Sequence, residues 1–107
     1  MAKNFKLAAE QIAPLINGGV GCYASDRITV DGCKVGYCYR EDPDFGGDSG
    51  WRFFAGDETQ AYADDSTNFE IYDVNTIANY DRDIIEILAT EAPAAFERDN
   101  GGPLLRV

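Results

Sequence analysis

The stretch Ile28-Thr29-Val30-Asp31-Gly32-Cys33-Lys34-Val35-Gly36-Tyr37-Cys38-Tyr39-Arg40 sets the expected architecture. Two triplets, Ile28-Thr29-Val30 and Cys33-Lys34-Val35, flank Asp31-Gly32, a pair that tolerates the positive φ angles of a two-residue type I′ turn. The sequence therefore predicts a hairpin here. Beyond the turn, Val35, Tyr37 and Tyr39 alternate with Lys34, Gly36, Cys38 and Arg40, the two-residue period of a strand with one buried face. A second aromatic strand is expected over 51–55. The linker 41–50, rich in Asp, Gly and Pro, reads as an exposed, mobile loop.

Upstream of this stretch, Phe5, Ala8, Ile12, Leu15 and Ile16 recur at three- and four-residue steps, which predicts a helix from near Asn4. Pro14 should kink or stop it, and Gly18-Gly19 ends it. Downstream, residues 69–72 read as a short extended segment. Asp73 and Asp81 are N-cap candidates for helices near 74–79 and 82–90. Pro93 closes that region. A strand over 95–98, a turn at Asn100-Gly101-Gly102 and an edge strand over 104–107 complete the chain. The expected class is α+β, a small antiparallel sheet with an N-terminal helix and one or two short helices before the C-terminal strands. No repeat or linker divides the chain, so a single domain over 1–107 is expected.

Hydrophobic residues make up 45% of the 107 positions, enough for a packed core. Nineteen Asp and Glu against nine Lys and Arg leave a formal charge of -10, which repels phosphate backbones and anionic lipid. Neither nucleic acid nor membrane is expected as a partner, and no apolar run reaches the length of a membrane span. The acidity is uneven. Thirteen acidic residues and only two basic ones, Arg52 and Arg82, lie between Glu41 and Glu86. Two readings fit this excess, a solvated surface or a face complementary to a basic protein. Whether Arg40, Arg52 and Arg98 pair internally or project outward is left open.

The missing chemistry narrows the function. The chain has no histidine, so Ser-His and Cys-His nucleophile activation is excluded, and an enzyme becomes the weakest class. Cys22, Cys33 and Cys38 form no CxxC pair, so zinc is disfavoured and free thiols in a reducing cytoplasm are expected. In Asp42-Pro43-Asp44, a calcium-loop reading places Gly46 at the fifth position and Phe53 at the twelfth, where the pattern needs a glutamate. Gly18-Gly19-Val20-Gly21 follows a helical pattern and lacks a phosphate-binding lysine. Neither cofactor nor metal is expected. The aromatic set Tyr37, Tyr39, Trp51, Phe53 and Phe54 reads mainly as core, with one or two members reaching a surface as interface anchors.

Several strings carry a family resemblance. Asp26-Arg27-Ile28-Thr29-Val30-Asp31-Gly32, Lys34-Val35-Gly36-Tyr37, Tyr39-Arg40-Glu41, Asp48-Ser49-Gly50-Trp51-Arg52-Phe53-Phe54-Ala55-Gly56-Asp57-Glu58, Asn75-Thr76-Ile77-Ala78-Asn79-Tyr80-Asp81 and Ala95-Phe96-Glu97-Arg98 resemble the bacterial immunity protein 33 family from about Gly21 to Val107. Two positions depart from its pattern: Arg82 stands where proline is common, and Ala94 where a serine often sits. The resemblance implies a protein that binds and neutralises a bacterial polymorphic toxin without catalysis. With the charge pattern, it directs attention to Asp42, Asp44, Asp48, Trp51, Asp57, Glu58, Asp64 and Asp65 as partner-binding residues for a toxin with a basic surface. The alternative is a small-molecule or peptide-binding domain with Trp51 walling a pocket. A monomer or a homodimer is compatible with the expected C-terminal edge strand.

Overall fold

The computed structural model describes residues 3–99 and 101–107. Its centre is a six-stranded mixed sheet. The strands are β1 (Gly21–Ser25), β2 (Tyr37–Arg40), β3 (Asp48–Phe54), β4 (Phe69–Asp73), β5 (Ala94–Glu97) and β6 (Leu105–Arg106), in the order β4-β1-β3-β2-β5-β6. Neighbours are antiparallel except β1 and β3, which run parallel. The α+β class holds. Because β2 lies on the far side of β3, the chain returns past it and enters β3 in the direction of β1, a long-range pairing that no local turn signal encodes.

The predicted hairpin is replaced by a helix. Ser25 accepts a hydrogen bond from the Arg27 amide at 3.1 Å and caps α1 (Asp26–Thr29). Gly32, at φ +80°, closes that helix by donating to the Ile28 carbonyl at 3.0 Å. A left-handed Asp-Gly serves a helix C-terminus as readily as a type I′ turn. Complete burial of Ile28 and Thr29 then overrides the β preference of the branched residues.

The predicted N-terminal helix shrinks to one 3-10 turn, Ala9–Gln11. Side chains of α3 (Val74–Tyr80) hold this segment instead. The Asn75 Oδ1 accepts from the Leu15 and Ile16 amides at 2.9 and 3.1 Å, and its Nδ2 donates to the Ala13 carbonyl at 2.9 Å. Asn79 grips Ala13 from both sides, accepting from its amide and donating to its carbonyl. The Tyr80 hydroxyl accepts from the Leu7 amide and donates to the Thr29 carbonyl. Backbone groups satisfied in this way have no need of helical partners.

Two further departures are that β3 begins at Asp48, inside the stretch 41–50 expected as an exposed loop, and that a helix not predicted from the sequence covers Gln60–Asp64; the other elements follow the sequence. Asp73 caps α3 through the Asn75 amide at 2.9 Å, and Asp81 caps a 3-10 helix, Arg82–Ile87, through the Asp83 amide at 3.0 Å. The turn at Asn100-Gly101-Gly102 includes Asn100, which lies outside the described residues; Gly102 donates to the Asp99 carbonyl at 3.0 Å. The last strand, β6, is an edge strand.

Strand alternation gives the sheet two different faces. Cys22, Ala24, Cys38, Trp51, Phe53, Ala94 and Phe96 face inward, where Ile28, Val74, Ile77, Ala78, Ile84 and Ile87 complete the core. In β2 this reverses the expected orientation, since Tyr37 and Tyr39 face outward while Cys38 and Arg40 face in. Arg40 tolerates that side because its guanidinium donates to the carbonyls of Ser49, Leu88 and Thr90 at 2.9, 3.3 and 2.8 Å and stands 5.7 Å over the Trp51 ring.

Candidate functional site

The string Asp48 to Glu58 is built mostly from structural roles. Asp48 is buried and accepts from Arg52 Nη1 and Nη2 at 2.9 and 2.7 Å, while the Asp44 and Gly50 amides donate to the same carboxylate. The Ser49 hydroxyl donates to the Gly21 carbonyl at 2.7 Å, joining β3 to β1. Gly50 takes φ +88°, and a β-carbon there would collide with the Glu41 carbonyl. Trp51, 1% exposed, donates Nε1 to the Leu88 carbonyl at 3.3 Å. Glu58 folds back to accept from the Ala55 and Gly56 amides at 2.8 and 2.9 Å. Asp57 pairs with Arg27 at 2.5 Å.

Hydrogen bonds from Arg52 hold the Asp48 carboxyl far below the usual carboxylate range, and the same contacts raise the Arg52 guanidinium. Arg52 also donates Nε to Glu41 Oε2 at 2.8 Å and lies 4.6 Å over the Tyr23 ring. Arg98 is held similarly, with Asp81 at 2.6 Å, Asp83 at 2.9 Å and the Val35 carbonyl at 2.6 Å. Arg40, Arg52 and Arg98 are therefore all internal struts.

These contacts divide the eight sequence-derived partner residues. Asp48 and Trp51 lie in the interior and present no side chain to solvent, because Arg52 and the core claim them. Asp42, Asp44, Asp64 and Asp65 are exposed, and among the described residues none is ion-paired. Asp65 is lowered by hydrogen bonds from the Thr67 hydroxyl and amide, so it stays charged at neutral pH. Asp57, also lowered, is exposed but committed to Arg27. Glu58 is half-buried over its own loop. The strands do not gather these carboxylates into one cluster.

What the strands do gather is aromatic. On the outer face, cross-strand register sets Tyr23 and Tyr39 on either side of Arg52, and Tyr37 opposite Phe54. Tyr37, Tyr39 and Phe54 form a triad with all three centroid separations at 6.0 Å. Phe54 also meets Phe69 edge-on at 5.6 Å, and Tyr62 of α2 (Gln60–Asp64) meets Phe69 at 6.1 Å. A basin of about 350 Å³ opens between Tyr23, Tyr39, Phe54 and Phe69, with Glu41 at its lip and Arg52 in its floor. A smaller one of about 200 Å³ lies across the ridge, lined by Tyr37, Tyr39, Phe54, Gly56 and Glu58. The larger open cleft, about 750 Å³, adjoins through Tyr37 and Gly56 and has Lys34, Asp57, Asp83, Glu97 and Arg98 on its walls.

Burial raises the Tyr39 hydroxyl, with the nearby Glu41 charge adding to it, so this ring is neutral at physiological pH. Burial likewise raises the Cys22 thiol, and pushes Cys38 up to about 12. All three cysteines are free. Among the described residues no group of three or more His, Cys, Asp or Glu is placed to hold a metal ion, and no helix is long and apolar enough to cross a membrane. The arrangement is suited to holding a partner by shape, aromatic contact and negative charge. The signal that locates the face is the strand alternation of Tyr37, Tyr39, Arg52 and Phe54, but alternation alone does not say which side is covered.

Residues 22–107 match the family model described as Immunity protein Imm33 domain. No curated protein and no solved structure matches the chain.

Proposed function

Because this chain belongs to the Imm33 immunity protein family, we propose that it is a non-catalytic protein that binds and neutralises a bacterial polymorphic toxin. The observation that carries this reading is the family match over residues 22–107. The placement of charge supports it. Most of the basic side chains are spent on internal or neighbouring groups, while Asp42, Asp44, Asp64 and Asp65 remain exposed and unpaired among the described residues. A surface of that kind speeds encounter with an electropositive protein and disfavours nucleic acid. The absence of histidine supports inhibition by occlusion over hydrolysis of the toxin. The three free thiols fit action in the reducing cytoplasm, as a monomer or homodimer.

Co-expression with the cognate toxin tests the proposal. Cells carrying the chain should survive toxin induction that kills cells without it, and the purified pair should co-elute. Equal killing in both strains refutes the reading.

A second reading, a small-molecule or peptide-binding domain, draws on the 750 Å³ cleft walled by Lys34 and Arg98. A metabolite that occupies it should raise the melting temperature, and a flat response across a broad panel argues against it.

A further inference from the structure

We propose that the aromatic basin on the outer face of the sheet receives an arginine side chain from the partner, with Tyr39 and Phe54 stacking on the guanidinium and Glu41 accepting its hydrogen bonds. The proposal rests on the toxin-binding reading and names the site and the partner chemistry that would serve it.

Three observations select this occupant. First, the rings lining the basin lie on the face opposite the core, and Ala63 of α2 with Ser66 walls only the side near Phe69, leaving the basin open. Second, Glu41 is half exposed and gives only Oε2 to Arg52, and among the described residues its Oε1 has no hydrogen-bond partner. Third, the protein already binds guanidinium this way internally. Arg52 sits 4.6 Å over Tyr23 with carboxylates at its edges, and Arg40 sits 5.7 Å over Trp51 with carbonyls at its edges. A flat, weakly hydrated cation stacks on rings and forks onto a carboxylate, which an ammonium group does less well.

Charge complementarity excludes the other occupants. A second copy would bring its own formal charge of -10 to a chain of formal charge -10, and an anionic ligand would meet that same net charge, because the Arg52 cation in the floor is already offset by Asp48 and Glu41. A neutral apolar segment could cover the rings but would strip water from Glu41 without replacing it.

Two arms test the proposal. In the first, the full chain is titrated with the blocked tripeptide acetyl-Gly-Arg-Gly-amide and with its neutral citrulline counterpart, followed by NMR of the aromatic rings. The arginine peptide should shift Tyr39 and Phe54 and bind about tenfold tighter than the citrulline peptide, a difference of about 1.4 kcal/mol. Glu41→Gln should remove that preference. Equal binding of the two peptides, or shifts confined to residues outside the basin, overturns the proposal.

In the second arm, Tyr39→Leu and Ala95→Arg are compared with the native chain for protection against the cognate toxin. Ala95 lies opposite Tyr39 on β5, on the same face, so its arginine variant sets a competing cation beside the basin without opening the core. Both variants, checked for a native circular dichroism spectrum, should lose protection. Protection equal to the native chain in both overturns the basin and leaves the immunity reading standing. Failure of the native chain itself to protect refutes the immunity reading, and the peptide arm then decides the basin alone.

Discussion

Phe53 and Phe54 are neighbours on β3, yet they inhabit different environments. Phe53 is 1% exposed, stacked 5.8 Å from Trp51 in a closed core. Phe54 faces the other way, half-buried among Tyr37, Tyr39 and Phe69 on a surface that α2 covers at one end. The inner face is finished by α1, α3 and the 3-10 helix, whereas the outer face presents rings that the fold covers only in part. Aromatic surface kept in register without a full covering layer adds little to stability, and this chain holds it at its centre. The difference separates a face that accounts for folding from a face that the proposal assigns to binding.

The largest expected effect comes from truncating each face in turn. Phe53→Ala should destabilise by about 3–5 kcal/mol in urea unfolding, because it leaves a cavity in a packed core. Phe54→Ala should cost less, about 1–2 kcal/mol, since the ring is only partly buried and its loss opens no closed cavity. Equal losses would erase the distinction between the faces.

The Arg52–Asp48 pair lies buried beneath the outer face, and breaking it comes next. Arg52→Met strands a buried carboxylate and should cost about 3 kcal/mol. The pH dependence carries the same signature. The Asp48 carboxyl is lowered in the folded state from an ordinary value of 3.8, mainly by Arg52. Its contribution is therefore complete above that ordinary value and is lost as pH falls below it towards the folded value. Native stability should drop steeply below about pH 4, and Asp48→Asn should flatten that slope, as read from urea midpoints against pH. An unchanged slope would mean that another carboxylate governs acid unfolding.

A smaller effect is expected from the tether at the edge of the inner face. Asn75→Ala removes three hydrogen bonds to Ala13, Leu15 and Ile16 and should cost about 1–2 kcal/mol. Hydrogen exchange of the Leu15 and Ile16 amides should accelerate more than that of β3. The smallest effect belongs to the surface. Arg27→Gln breaks an exposed pairing with Asp31 and Asp57 and should leave the urea midpoint within error of the native value.

Much of this fold is legible in the sequence where the signals are local. The caps at Asp73 and Asp81, the strand around Trp51 and the C-terminal strands all follow from short-range chemistry. Ile28-Thr29-Val30-Asp31-Gly32 misleads because a glycine with positive φ ends a helix or turns a hairpin, and only burial of Ile28 decides. The N-terminal periodicity misleads because Asn75 and Asn79, about 60 residues later, take the hydrogen bonds that a helix would use. The exposed members of the acidic set, Asp42, Asp44, Asp64 and Asp65, are visible from composition. Asp48 is not separable from them until its spacing of four to Arg52 is seen as a buried pair. Tyr37 and Tyr39 look like core in a period-two pattern, since the pattern fixes alternation and leaves the covered side undetermined.

Hydroxyl-radical footprinting of the chain, free and bound to its cognate toxin, puts the central claim to the most direct trial. The account predicts that oxidation of Tyr39, Tyr37 and Phe54 falls sharply in the complex while Phe53 and Trp51 stay inert in both states. Unchanged oxidation of those three outer rings, with protection appearing instead around Lys34 and Arg98, would contradict it.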